Sequence, residues 1–390
     1  MATFALLRER KTGHEAKVSN AELFFDLVYV FAITQLSHHL LGHLSLLGAA
    51  QTLLLWFAVW LGWQYTCWIT NWFDPEKLPI RILLFALMLL ALPMAAAIPE
   101  AFGERGLVFA GCFTGIQVGR TLFVLYCLGR KDPLTPNFSR ILGWTVISGC
   151  FWIAGALQEE GMARMALWAI AVACEYFAPM FGFALPGLGR SSTREWTIEG
   201  GHLAERCQLC MIVALGESVL VTGASLSEAS AWGGEIAWAF GLAFVISLAI
   251  WWIYFDTGSR DASHTIAHAA DPGGMGALFH YLHVIIVGSV IVVAVGCELL
   301  IAHPHDAAGA KQLATLAGGP ALYLLGNALF RRVVYGALPG SHWAGVIGLA
   351  ALAAAASALG WTVLAVGAVV VALLLAVAVW DGCTQRHLAH

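Results

Sequence analysis

Charges set inside apolar stretches are the residues of this chain with the clearest capacity for chemistry. Glu22-Leu23-Phe24-Phe25-Asp26 opens a run that stays apolar to Leu41. His202-Leu203-Ala204-Glu205-Arg206 opens a second, which continues through Gly216-Glu217-Ser218 without a break. Glu22 and Asp26 are four residues apart and share a helix face. His202, Arg206 and Glu217 share another, with Glu205 and Gln208 on a neighbouring stripe. His280 and His283 lie three apart in a third apolar run, and Glu175 and Arg120 stand alone in two more. Carboxylates, histidines and arginines in such places suit proton relay or ion passage. The plainer reading is a set of packing ion pairs and interfacial histidines. A charge at a bilayer centre costs about 2.5–3.5 kcal/mol even on a lenient insertion scale, so these groups must be paired, hydrated or used.

Composition identifies the elements that position them. The chain has 390 residues, 59% of them hydrophobic and 11% charged, with a mean hydropathy of +0.77. A soluble domain carries about 25% charged residues. An all-α integral membrane protein follows, a polytopic bundle with room for about twelve spans of ~20 residues. The net charge of −4 and the lack of a basic stripe argue against a nucleic-acid partner. The nine cysteines are scattered in apolar segments and read as small buried hydrophobes. Cys207-Gln208-Leu209-Cys210 lacks the βαβ context of a redox motif. No cleavable signal peptide is evident, so the first apolar run is expected to stay as a membrane helix.

Polar breaks give expected spans at 20–41, 48–70, 80–98, 106–128, 139–158, 161–184, 202–224, 236–256, 277–301, 312–332, 341–359 and 361–380. The last two are separated only by Gly360 and its small neighbours, and a hairpin is the expectation there. Lys and Arg test this map: with the N-terminus inside, fifteen fall on the cytoplasmic side, against Arg105, Arg164 and Lys311 outside. Such a bias follows the positive-inside rule. The expected organisation is a basic cytoplasmic segment 1–19, a six-helix half 20–184, a cytoplasmic loop 185–201, a second half 202–380 and a cytoplasmic tail 381–390. Echoes such as Gly119-Arg120 with Gly326-Asn327 suggest that the halves are parallel repeats. The expected location is a cytoplasmic membrane with both termini on the cytoplasmic side.

Depth then suggests partners. Asp26 lies about six residues, ~9 Å, into span one, and Arg120 sits eight residues before the cytoplasmic end of span four. Arg120 is therefore expected to pair with Asp26 or Glu22. His202 with Glu205 could supply two metal ligands, but no third is visible. His303-Pro304-His305-Asp306 reads as a solvated turn. The tryptophans, including Trp56, Trp60, Trp63, Trp68 and Trp72, read as an interfacial belt without chemistry. Within the spans, Glu22, Asp26, Glu175, Glu205 and Glu217 outnumber Arg120 and Arg206, which tilts the expectation toward protons or cations.

Glu22–Leu36, His202–Val219, Trp251–Asp256 and His280–Glu298, with Phe73-Asp74, resemble the bacterial low temperature requirement protein A (LtrA) family. The resemblance spans both halves. It implies an integral membrane protein and supplies no agreed substrate or reaction. Phe25-Asp26 is also similar to the Ser-Asp motif of a lysosomal potassium-channel family. The leading expectation is a proton- or cation-coupled transporter or permeation protein. A cation channel, a lipid-modifying membrane enzyme and a non-catalytic lipid-binding or membrane-stabilising protein are the alternatives. No cofactor or metal is called for. Expected partners are membrane lipids and protons, small cations or a solute, with a homo-oligomer open.

Overall fold

A computed structural model describes residues 6–8, 17–159, 161–193, 196, 198–228, 233–256, 266, 269–336 and 338–388. The described residues are helical apart from turns and three isolated backbone bridges. Helices are the expected outcome in lipid, because every backbone N–H and C=O is satisfied within the segment. The first half comprises α1 (Asn20–Gly42), α2 (Leu46–Trp72), α3 (Leu78–Ala97), α4 (Gly106–Leu128), α5 (Thr135–Ala156) and α6 (Gly161–Met180). There follow α7 (Gly200–Glu228), α8 (Gly234–Phe255), α9 (Pro272–Ala302), α10 (Ala310–Leu316), α11 (Gly318–Tyr335), α12 (Gly340–Leu359) and α13 (Val363–Leu388). With α10 and α11 counted as one crossing, twelve segments among the described residues are long and apolar enough to cross a membrane. The protein is a polytopic helical membrane bundle.

Local signals set the ends. Ser19 starts α1 through a capping box: its Oγ accepts the Glu22 N–H at 3.3 Å, and Glu22 Oε2 accepts the Ser19 N–H at 2.8 Å. Pro79 and Pro136 occupy first-turn positions of α3 and α5, where a missing N–H costs nothing. Gly360 adopts a left-handed φ of 66° after α12, and the Trp361 N–H closes the turn onto the Ala356 carbonyl. The last two spans are thus separate helices. The 303–306 turn has a structural task beside them, since the Pro304 and Asp306 carbonyls accept the first N–H groups of α13.

The chain divides into two compact units. The first holds residues 1–39, 46–206 and 266–276; the second holds 40–45, 207–265 and 277–390. In the first, α3 packs on α4, α4 on α5 and α5 on α6, with α2 against α4 and α6. Its aromatic core joins Phe109, Phe113, Trp152 and Trp168, with ring centroids 5.0–6.4 Å apart where they meet. Arg164, expected in an outer loop, is buried in the first turn of α6. It donates to the Ala101 and Gly103 carbonyls at 3.0 and 2.7 Å and to the Gln158 carbonyl at 2.8 Å. In the second unit small residues let helices approach closely: a Cβ on Gly326 would meet Ile285 at 3.0 Å, and one on Gly319 would meet Val293 at 3.0 Å.

Candidate functional site

Three helices of the first unit carry polar side chains at four-residue intervals, which stack them into two levels. α1 offers Glu22 and Asp26, α7 offers His202 and Arg206, and α2 offers Asn71, Cys67 and Trp63.

The first level joins Glu22 to His202, with Oε1 2.8 Å from Nε2. The Asn71 amide fixes the imidazole. Its Oδ1 accepts the Glu199 N–H at 2.9 Å and its Nδ2 donates to the Glu199 carbonyl at 2.9 Å, so the amide cannot be reversed. Nδ2 also faces His202 Nδ1 at 3.2 Å. His202 Nδ1 is therefore the acceptor, and Nε2 carries the hydrogen that Glu22 accepts. The other Glu22 oxygen accepts the Ser19 N–H and hydroxyl at 2.8 and 2.9 Å and Arg8 Nη2 at 3.3 Å. Arg8 is held over this level by its own backbone, whose N–H donates to the Trp72 carbonyl at 2.9 Å, and by Nε on the Thr70 carbonyl at 2.9 Å. Glu205, half-buried, accepts the Val18 N–H at 3.2 Å.

The second level lies one turn deeper. Arg206 Nη2 donates to Asp26 Oδ1 at 2.7 Å, and Trp63 Nε1 donates to the same oxygen at 2.8 Å. The guanidinium also contacts Cys67 Sγ at 3.3 and 3.4 Å and stacks over the Trp63 ring at 5.6 Å. Asp26 and Arg206 are 1% and 0% exposed. Asp26 Oδ2, Arg206 Nη1 and the Tyr29 hydroxyl make no hydrogen bond to the described residues. Open valences in a buried site are uncommon and call for an explanation.

A third cluster surrounds Arg120, and here the expected pairing is corrected. Arg120 is buried but bonds neither Asp26 nor Glu22. It donates to the Gly62 carbonyl at 3.2 Å, to Thr66 Oγ1 at 3.1 Å and to Gln117 Oε1. Gln117 Nε2 in turn donates to Glu175 Oε2 at 2.5 Å, while Ser148 and Trp152 hold Oε1 at 2.8 and 3.2 Å. The acid facing Arg120 is thus Glu175 of α6, reached through an amide. Depth alone could not distinguish Arg120 from Arg206 as the partner of Asp26, because the order of helices in space is absent from the sequence.

The remaining candidates fall in the second unit. Glu217 and His280 are buried there. His283 is a satisfied core histidine: Nδ1 donates to the Phe279 carbonyl at 2.8 Å, so Nε2 accepts the Tyr254 hydroxyl at 2.7 Å. The belt reading of the tryptophans also needs correction. Trp56, Trp60 and Trp63 are at most 4% exposed, and Trp63 binds the site's carboxylate. Sequence reading missed Arg8, Asn71, Cys67 and Gln117. The spacing of Trp63, Cys67 and Asn71 was the available signal. Among the described residues no group of three His, Cys, Asp or Glu could hold a metal ion, and the Arg8 guanidinium stands where a cation would sit beside Glu22 and His202.

Fold and site together define a multi-pass α-helical membrane protein with ion pairs buried in its interior. The chain belongs to the bacterial low temperature requirement A protein (LtrA) family, whose model matches residues 17–379. An uncharacterized protein of Rhizobium meliloti (strain 1021) is similar to it, at 39% identity over 386 residues that cover 98% of this chain and 93% of the relative. No solved structure matches the chain.

Proposed function

We propose that this protein passes protons across a bacterial inner membrane, alone or coupled to a solute, with both termini cytoplasmic. The supporting observation is the asymmetry of Asp26. One oxygen holds both Trp63 and Arg206, and the other is unpaired among the described residues in a fully buried site. A proton can therefore join and leave Oδ2 while the bonds that fix the side chain at Oδ1 stay in place. Glu22 and His202 form the entrance level, next to Arg8.

Proton passage fits this chemistry better than cation conduction. The negative excess counted from sequence is met in the first unit by basic and amide donors: Arg8 and His202 at Glu22, Arg206 at Asp26, and Gln117 with Arg120 at Glu175. A hydrated metal cation would have to displace a guanidinium at each level. A purely structural role suits Glu22, whose oxygens are fully engaged, but it leaves the open valences of Asp26 and Arg206 without a purpose. Purified protein in liposomes carrying a trapped pH dye tests the reading. An imposed pH gradient should collapse faster than in protein-free liposomes, with or without a solute panel. Identical decay in both, across the panel, overturns it.

A further inference from the structure

The second unit holds an ionisable cluster that the function proposed above does not use. Arg331 and Asn327 of α11, Ser341 and His342 of α12 and Asp381 of α13 meet where these helices pack. Arg331 Nη2 lies 2.9 Å from Asp381 Oδ2, and Ser341 Oγ donates to Oδ1 of the same carboxylate. Asn327 Oδ1 accepts Arg331 Nε at 3.1 Å and lies 2.8 Å from His342 Nε2. His342 Nδ1 is 3.2 Å from Ser341 Oγ and 3.6 Å from Asp381 Oδ2. His342 and Asn327 are fully buried, and Asp381 and Ser341 are 3% exposed. Tyr323 of α11, whose hydroxyl donates to the Ile250 carbonyl of α8 at 2.9 Å, lies within electrostatic reach of Arg331, Asp381 and Tyr254 of α8. Lys311 of α10 is exposed.

Hydrogens can be placed in sequence. Arg331 Nε only donates, so Asn327 must present its oxygen. His342 Nε2, facing that oxygen, therefore carries a hydrogen. The single Ser341 hydrogen is used on Asp381. His342 Nδ1 is left facing the Ser341 oxygen and a carboxylate oxygen, and a bare Nδ1 would set lone pair against lone pair. One hydrogen between the ring and the carboxyl completes the arrangement, whichever group carries it; coupled sites of this kind titrate as a pair.

We infer that His342 and Asp381 jointly bind one proton, so that this cluster is a buried proton-binding site in the second unit. Release is also provided for, because the unloaded cluster keeps Arg331 and Asp381 as a charge-neutral pair. Loaded, it places a hydrogen between the facing His342 Nδ1 and Asp381 oxygen; unloaded, it has no net charge.

The test reads the proton itself and does not depend on transport. Histidine-selective 15N labelling of the full chain in detergent or lipid reports each ring nitrogen, with His342→Gln to assign the signal. Infrared spectra between about pH 5 and 8 report a protonated carboxyl, with Asp381→Asn to assign it. The expected result is a hydrogen on or shared with His342 Nδ1, or a carboxylic-acid band lost in Asp381→Asn, within that range. In Asp381→Asn the ring should revert to the single Nε2–H form. Ser341→Ala provides a second perturbation should either variant fail to fold, and it should shift the same signals without abolishing them. A bare His342 Nδ1 with no Asp381 acid band anywhere in the range overturns the inference.

Discussion

Asp26 and Arg206 show how much of a buried ion pair depends on neutral neighbours. Trp63 and Cys67 hold the pair from α2, and neither residue type marks a charge partner in a sequence. The charged members were legible because ionisable residues in apolar runs stand out; their partners were not, because they are an indole, a thiol sulfur that accepts from Arg206, and amides. Removing one member of a buried pair typically costs 3–5 kcal/mol. Arg206→Leu should therefore depress folded yield far more than Arg206→Leu combined with Asp26→Leu. Size-exclusion profiles of the expressed variants measure this, and a double variant no better than the single would refute the pairing energetics. At the entrance level, Ser19→Ala removes the cap of α1 and one bond to Glu22. It should cost about 1 kcal/mol, seen as a modest drop in melting temperature in detergent, with any function retained.

The helices were largely written in hydropathy, and their spatial order was not. The expected spans at 106–128 and 341–359 coincide closely with α4 and α12, and the tenth span is split at Ala317 into α10 and α11. Periodicity and polar breaks mark such ends locally. Which helix lies beside which depends on close approaches such as Gly62, where an added Cβ would come within 2.9 Å of the Tyr29 hydroxyl. This contact brings α1 against α2 at Gly62, the residue whose carbonyl accepts Arg120. Gly62→Ala should lower the melting temperature despite the usual gain of 0.5–1 kcal/mol for alanine within a helix. In a Tyr29→Phe background the same change should be neutral or stabilising. An equal loss in both backgrounds would remove this contact from the account.

At the scale of the molecule, the proposed topology takes the twelve candidate spans among the described residues as crossings, with both ends of the chain on the cytoplasmic side that the basic bias favours. Reporter fusions active only in the cytoplasm should signal at the C-terminus and in the 129–134 and 185–199 segments, and be silent at 303–309. Signal at 303–309 would break the topology. On that proposed topology α1 and α7 begin at the cytoplasmic side, so the Glu22–His202 level would open there, with Asp26 one turn deeper. The measurement that bears most directly on the proposal is proton flux in liposomes by Asp26→Asn, set beside wild type and Ser19→Ala. Asparagine keeps an oxygen for Trp63 and loses the capacity to take up and release a proton. Flux should be abolished in Asp26→Asn and preserved in Ser19→Ala. Flux at the wild-type rate in folded Asp26→Asn would contradict the proposal.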